Sequence, residues 1–262
     1  MTFVTTPQAQ LHVVHSRRPD APTLLLLNSL GASLEMWDAQ VPALASRYDL
    51  IRFDARGHGR SSINGPAEAS IADLAQDALA VLDVCGVRRA HVCGLSLGGM
   101  VAMRLAAGSP DRVGKIVLCN TTPFMPPREG WDTRIRAVQT EGVAALIEGT
   151  LGRWFTPAFH AAQPDQVDRI RRQLQQASAA GFIACCTAIR DMDQRDLIRS
   201  ITAETLIIGG VHDKGTTPEH AQQMASAIPG AKLVLLDAAH LSNVECPDAF
   251  TSTLIEFLDG KR

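Results

Sequence analysis

The chain has 262 residues, 46% of them hydrophobic and 20% charged, which is ordinary for a globular protein. The formal net charge of −2 leaves no global basic field to attract nucleic acid, and no apolar run approaches the roughly 20 residues of a membrane-spanning helix. The first eleven residues lack the basic and apolar segments of a signal peptide. We therefore predict a cytoplasmic protein with neither a nucleic-acid nor a membrane partner.

Cysteine and histidine usage argues against disulfides and metal sites. The six cysteines form no C-x-x-C pair, and the eight histidines show no H-E-x-x-H spacing. Several cysteines lie in apolar strand or helix patterns, as expected for reduced residues that fill the core. We expect no metal site.

The first part of the chain alternates short apolar strands with amphipathic helices. Continuous apolar runs of this length are typical of strands buried on both faces, and apolar residues at helical spacing predict the intervening helices. The predicted strands are 3–6, 10–15, 23–27, 49–53, 90–95 and 115–119, and the predicted helices are 34–46, 71–85 and 97–107. This alternation indicates βαβ units and a parallel sheet.

The alternation stops at about residue 121. Pro123, Pro126 and Pro127 open a region without a strong strand pattern, in which helices are predicted at 133–148, 164–179 and 182–190. The prediction is therefore a helical cap at 121–196, inserted into a core domain made of 1–120 and 197–262.

The alternation resumes with strands at 205–208 and 232–236 and helices at 218–228 and 247–258. The predicted fold class is α/β: a mostly parallel sheet of about eight strands with helices on both faces, and a helical cap inserted after the sixth strand. Such sheets bind ligands outside the carboxyl ends of their strands.

The segment Gly94-Leu95-Ser96-Leu97-Gly98 follows the spacing of a nucleophile elbow. A serine at the apex of a sharp strand-to-helix turn needs neighbours without Cβ atoms, which the two glycines supply. A glycine-bearing turn with a surface serine is the alternative, so the elbow alone decides little.

Two later strand ends complete a catalytic set. Asp213 follows strand 205–208 and His240 follows strand 232–236, giving the order Ser96, Asp213, His240 of α/β-hydrolases. The serine needs a base, and an aspartate fixes the tautomer of the histidine. Three other aspartates are less favoured as the catalytic acid: Asp237, Asp191 and Asp193. We expect three other histidines to be structural or exposed: His58, His212 and His220.

The loop Asn28-Ser29-Leu30-Gly31 follows strand 23–27. We expect its Leu30 N–H to form an oxyanion hole together with the N–H of Leu97, which lies at a helix N-terminus. An ordinary strand-to-helix turn is the alternative.

With these residues assembled, the chain resembles the α/β-hydrolase superfamily over its whole length, and more closely the 3-oxoadipate enol-lactonases. Asn28-Ser29-Leu30-Gly31 and the cap segment Arg153-Trp154-Phe155-Thr156 carry most of the closer resemblance. The other similar segments are 26–27, 36–37, 54–59, 93–99, 118–121 and 237–245. The resemblance implies hydrolysis of a small enol-lactone that bears a carboxylate, without a cofactor.

A small anionic substrate needs a cation and an apolar wall. The cap offers Arg134 and Arg153, with Trp131 and Trp154 nearby in sequence, and we expect Trp131, Arg134 and Trp154 to line the pocket. Alternatively, the tryptophans pack cap helices and the arginines are solvated. The oligomeric state stays open.

Two rival functions remain at this point. A general carboxylesterase or C–C bond hydrolase would use the same three residues, and only cap residues would separate it from a lactonase. A non-catalytic ligand-binding protein of the same fold would keep the pocket, but the presence of Ser96, Asp213 and His240 argues against it. Haloalkane dehalogenases and epoxide hydrolases need a carboxylate at the position of Ser96, so the serine argues against these two enzyme classes.

Overall fold

The computed structural model describes residues 2–261. Within them the strands are β1 Thr2–Thr5, β2 Gln10–Ser16, β3 Thr23–Leu27, β4 Asp49–Phe53, β5 Ala90–Leu95, β6 Val113–Cys119, β7 Thr205–Gly210 and β8 Lys232–Leu236. The α-helices are α1 Val41–Ala45, α2 Ile71–Val84, α3 Leu97–Gly108, α4 Arg128–Glu141, α5 Ile147–Trp154, α6 Pro157–Ala162, α7 Pro164–Gln176, α8 Ala179–Asp191, α9 Pro218–Ala227, α10 Ser242–Glu245 and α11 Pro247–Leu258.

All eight strands form one sheet, in the order β1-β2-β4-β3-β5-β6-β7-β8. β2 runs antiparallel to the other seven strands, which all run in the same direction. Helices α4 to α8 are inserted between β6 and β7, yet these two strands pair directly, with Ile116 opposite Thr205. The predicted fold class and the position of the insertion are confirmed, whereas the division into core and cap domains stays a prediction.

The central strands are buried because both faces of the sheet are covered. On one face, α2 and α3 supply a cluster that includes Leu74 and Val101. On the other face, α11 packs Phe250 and Leu254 beside Trp37. Each fully buried side chain of this size contributes about 1.5–3 kcal/mol relative to an exposed one, so this two-sided burial holds the strand ends in place.

Two predicted helices differ most from the structure. The helix predicted at 34–46 is a 3-10 helix at Leu34–Trp37 followed by α1. Pro42 lies at the start of α1, where its missing N–H costs nothing. The helix predicted at 133–148 begins earlier and ends at Glu141, because Gly142 takes a positive φ of 77°.

The inserted helices contact the core through two glycines. The N–H of Ser178 donates to Gly57 O at 2.8 Å, and a Cβ on Gly181 would lie 2.5 Å from Gly57 Cα. At this point the backbone at the N-terminal end of α8 lies directly against the backbone of the loop that follows β4. A side chain on either glycine would force the two segments apart.

The two ends of the insertion lie next to each other. The N–H of Gln194 donates to Pro123 O at 2.9 Å, and Phe124 forms an isolated antiparallel bridge with Asp193. The side chain of Gln194 also donates to Met100 O at 3.1 Å. The insertion therefore leaves the core and returns to it at one place, above α3.

Among residues 2–261, no helix is long and apolar enough to cross a membrane. The cysteines Cys85, Cys93, Cys119, Cys185 and Cys186 are buried, and Cys246 is partly buried. Cys93 and Cys119 lie on the neighbouring strands β5 and β6 with their sulfurs 3.8 Å apart.

Candidate active site

Ser96 lies at the apex of the turn between β5 and α3 with strained backbone angles, φ 56° and ψ −115°. The close approach of strand and helix explains the flanking glycines. A Cβ on Gly94 would lie 2.1 Å from Gly98 O, and one on Gly98 would lie 2.2 Å from Leu27 O. The strain is held by hydrogen bonds, since Ser96 N donates to Cys119 O at 2.9 Å. This geometry matches the predicted elbow.

The loop that follows β3 lies against this turn. Gly98 N donates to Asn28 O at 3.0 Å, and the Asn28 side chain bridges Phe53 O and the Trp37 indole N–H. These bonds fix the loop so that Leu30 lies beside Ser96 in one cavity. Leu97 is the first residue of α3, so its N–H has no partner within the helix.

Asp213 and His240 meet at the carboxyl ends of β7 and β8. His240 Nδ1 lies 2.8 Å from Asp213 Oδ2, and both side chains are buried. Burial raises the pKa of Asp213, but the charge and hydrogen bond of His240, with the hydrogen bonds of Thr216 and Asn120, outweigh it and hold that pKa well below its usual range. The aspartate is therefore a stable anion beside the imidazole.

Sequence reasoning gave no role to three residues that organise these groups. Asn120 Nδ2 donates to Asp213 Oδ2 at 3.0 Å, and Thr216 Oγ1 donates to the same oxygen at 2.7 Å. Thr121 Oγ1 donates to Ser96 O at 2.7 Å. Asn120 and Thr121 directly follow β6, so their position at a strand end was the available signal.

Ser96, Asp213 and His240 line one cavity of about 310 Å³. Its lining also includes the three cap residues predicted from the sequence, Trp131, Arg134 and Trp154. Trp154 stacks on His240, with ring centroids 6.1 Å apart and an interplanar angle of 26°. The cavity therefore brings the predicted reacting groups and the predicted pocket residues together.

Arg134 is a cation without an acidic partner among residues 2–261. Its guanidinium lies 4.7 Å from the centre of the Trp131 ring, and the Trp131 indole N–H donates to Met125 O at 3.0 Å. Burial lowers the pKa of Arg134. A partly desolvated guanidinium without a carboxylate partner provides a site for an anion.

The less favoured acids have other partners. Asp237 is exposed and pairs with His212 at 2.8 Å, while Asp191 and Asp193 pair with arginines on the outside of the cap. His58 is buried with Nδ1 3.0 Å from Arg56 O, and His220 lies in the capping box of α9. In the described part of the chain, no cluster of three or more His, Cys, Asp or Glu residues is arranged to hold a metal ion.

Comparison with known proteins gives a consistent result. The family model of the alpha/beta hydrolase fold matches residues 22–247. The 3-oxoadipate enol-lactonase 2 of Acinetobacter baylyi is 34% identical over 94% of this chain and 92% of its own length.

Two solved structures are also similar over nearly their whole length. A hydrolase from Pseudomonas aeruginosa PA01 has 41% identity and a TM-score of 0.94, covering 98% of this chain and 97% of its own. The enol-lactonase from Burkholderia xenovorans LB400 has 38% identity and a TM-score of 0.93, covering 96% of this chain and 97% of its own. The predicted resemblance is confirmed: the chain belongs to the α/β-hydrolase family and is a hydrolase of that fold.

Proposed function

We propose that the protein opens the lactone ring of 3-oxoadipate enol-lactone to give 3-oxoadipate, in the cytoplasmic degradation of aromatic acids. The observation that carries the proposal is the cation Arg134, stacked on Trp131 in the cavity that also holds Ser96 and His240. A general esterase has no need of a desolvated cation in its acyl pocket. A pocket that binds a lactone bearing a carboxylate does need such a cation.

In the proposed reaction, Ser96 Oγ attacks the lactone carbonyl while His240 Nε2 takes the serine proton. Asp213 holds His240 Nδ1–H and stabilises the imidazolium that forms. The N–H groups of Leu30 and Leu97 stabilise the oxyanion. These roles account for the three predicted catalytic residues and the two predicted oxyanion-hole residues, and they require no cofactor.

Ring opening releases an enol oxygen that stays tethered to the acyl chain. His240 returns its proton to this oxygen, and tautomerisation of the enol to a ketone removes the group that would close the ring again. His240 then activates water, which hydrolyses the acyl-enzyme at Ser96. The net reaction adds one water to the lactone and yields a dicarboxylate.

The deciding experiment compares kcat/KM for the enol-lactone with kcat/KM for simple aryl esters. We expect the lactone to be preferred by orders of magnitude. A preference for aryl esters would replace the lactonase by the general esterase.

Labelling with a fluorophosphonate separates an enzyme from a ligand-binding protein. We expect the probe to modify Ser96, and Ser96→Ala to abolish labelling without loss of the fold. Folded wild-type protein that resists the probe would favour the non-catalytic alternative.

A further inference from the structure

The active-site cavity adjoins a second, larger cleft on the outside of the cap. This outer cleft has a volume of about 810 Å³ and lies between α5, α6 and the loops after β7 and β8. Its lining includes Phe155, Thr156 and Phe159 from the cap and His212 and Ala239 from the core. It is much larger than the cavity of about 310 Å³ that holds Ser96.

Two residues line both spaces, and both are cations. Among residues 2–261, only Arg153 and Lys214 are shared by the cavity and the outer cleft. Arg153 lies in the last turn of α5, and Lys214 directly follows Asp213 in the loop after β7. The boundary between the two spaces is therefore a cationic pair with one member from the cap and one from the core.

Neither cation is neutralised within the described residues. Lys214 is exposed and makes no ion pair there, and Arg153 makes no ion pair but donates a hydrogen bond to the hydroxyl of Thr150 at 3.4 Å. Burial and the nearby charge of Arg134 both lower the pKa of Arg153. Arg153 and Arg134 therefore repel one another, and an anion bound between them relieves this repulsion.

The acids of the outer cleft are already engaged. Glu245 accepts hydrogen bonds from Thr156 and from Ala239 N at 2.7 Å, and Asp237 pairs with His212. Inside the cavity, the Asp213 carboxylate is saturated by its donors. The lining of the inner cavity carries the cations Arg134, Arg153 and Lys214 against the single carboxylate of Asp213, so the formal charge at the inner end of the path is positive.

We infer that Arg153 and Lys214 form a cationic port through which small carboxylates pass between the outer cleft and Ser96. The port attracts the anion, and Arg134 receives it further in. Charged walls of this kind raise association rates by about 10- to 1000-fold at low ionic strength. The inference rests on the proposed function for the charge of the natural substrate, but any carboxylate-bearing ester tests it.

The test uses mono-4-nitrophenyl succinate and its neutral methyl ester, because release of 4-nitrophenolate reports acylation of Ser96 for both. The measurement is the ratio of their acylation rate constants, kcat/KM, from about 0.01 M to about 1 M NaCl, where the screening length falls from about 30 Å to about 3 Å. For the wild type we expect the anionic-to-neutral ratio to fall about tenfold or more as salt is added. The Arg153→Gln/Lys214→Gln double variant should have a low ratio at every salt concentration.

The matched control is Arg199→Gln/Lys232→Gln, which removes the same charge from two exposed cations outside both spaces. We expect the control to keep the wild-type ratio and salt dependence. The port is disproved if the double variant keeps them too, if the control loses as much, or if neither ester acylates the protein. Failure to open the enol-lactone with the ester result intact would remove the proposed function and leave the port standing.

Discussion

At the scale of single residues, two charged side chains of the cavity have opposite surroundings. Asp213 accepts hydrogen bonds from Thr216, Asn120, Gly215 N and His240. Arg134 has an aromatic ring beneath it and no acid beside it among the described residues. The carboxylate of Asp213 is therefore fully hydrogen-bonded within the chain, whereas the guanidinium of Arg134 is available to bind a ligand.

Replacing Arg134 with alanine should raise KM for the enol-lactone about 10- to 100-fold, the loss expected for one hydrogen bond to a charged group. The value of kcat should change much less, because in the proposed complex Arg134 binds the carboxylate in the ground state and the transition state alike. Steady-state kinetics measures both. Arg136→Ala, two positions further along α4 and exposed, is the control. An unchanged KM in Arg134→Ala would remove this residue from the binding site.

Asp213→Asn should lower kcat by roughly 10²- to 10⁴-fold, since the amide no longer stabilises the imidazolium. Single-turnover kinetics checks this, with the exposed Asp237→Asn as control.

The effect of Asp213→Asn on the free energy of unfolding should also depend on pH. Because the pKa of Asp213 is depressed in the folded protein, its carboxylate stabilises the fold above the unfolded-state pKa of about 3.9 and loses this effect as pH falls further. The stability gap between wild type and Asp213→Asn, measured by urea unfolding, should therefore be larger at neutral pH than in strong acid. A gap that widens on acidification would contradict the depressed pKa.

At the scale of elements, the strand–turn–helix unit of β5 and α3 depends on close backbone contact. Gly94 faces Gly98, and Gly98 faces the end of β3, at distances that leave no room for a Cβ. The same contacts align the Asn28 loop with Ser96. The turn that positions the serine is therefore also the contact that positions the loop with Leu30.

Gly98→Ala should destabilise the protein by about 1–3 kcal/mol, as overpacking does, and should abolish most activity because the Leu30 loop moves. Gly108→Ala, at the end of the same helix, meets no atom within 4 Å and serves as the control. Urea unfolding and ester hydrolysis measure the two effects. A stable, fully active Gly98→Ala would show that the turn tolerates the extra carbon.

The sequence was most informative where a pattern is local. The elbow, the strand ends and the closing helix α11 follow from glycine spacing and apolar periodicity over a few residues. The start of α5 escaped prediction, because the 3-10 segment at Val143–Leu146 interrupts the helical period. The short α6 was not predicted either. The bonds from Asn120 and Thr216 to Asp213 depend on how distant strands meet, which no local pattern records.

At the scale of the whole molecule, the inserted helices reach the core through tight packing as well as through their chain ends. The contact of Gly57 with Gly181 leaves less space than an alanine methyl needs. The side of the insertion that carries α8 is therefore fixed to the loop after β4.

Gly181→Ala should cost about 1–3 kcal/mol and raise KM for the lactone, because a displaced α8 shifts the cavity wall that Phe182 and Ile189 provide. Thermal unfolding and steady-state kinetics test this. Gly130→Ala, an exposed glycine of α4 whose Cβ would approach only Pro127, is the control. Equal effects of both substitutions would show that the contact with Gly57 is unimportant.

The hydrogen bond between Gln194 N and Pro123 O has a consequence for how such chains diversify. Because the two ends of the insertion meet, we propose that residues 124–193 can be exchanged as one segment without altering the pairing of β6 with β7. Such an exchange has to keep the close contact of Gly181 with Gly57. A recombination event or a gene-synthesis design needs only two splice points, on either side of one backbone contact. On this proposal the strands that carry Ser96, Asp213 and His240 stay unchanged, while the exchanged segment alters the cavity lining to which it contributes Trp131, Arg134 and Trp154.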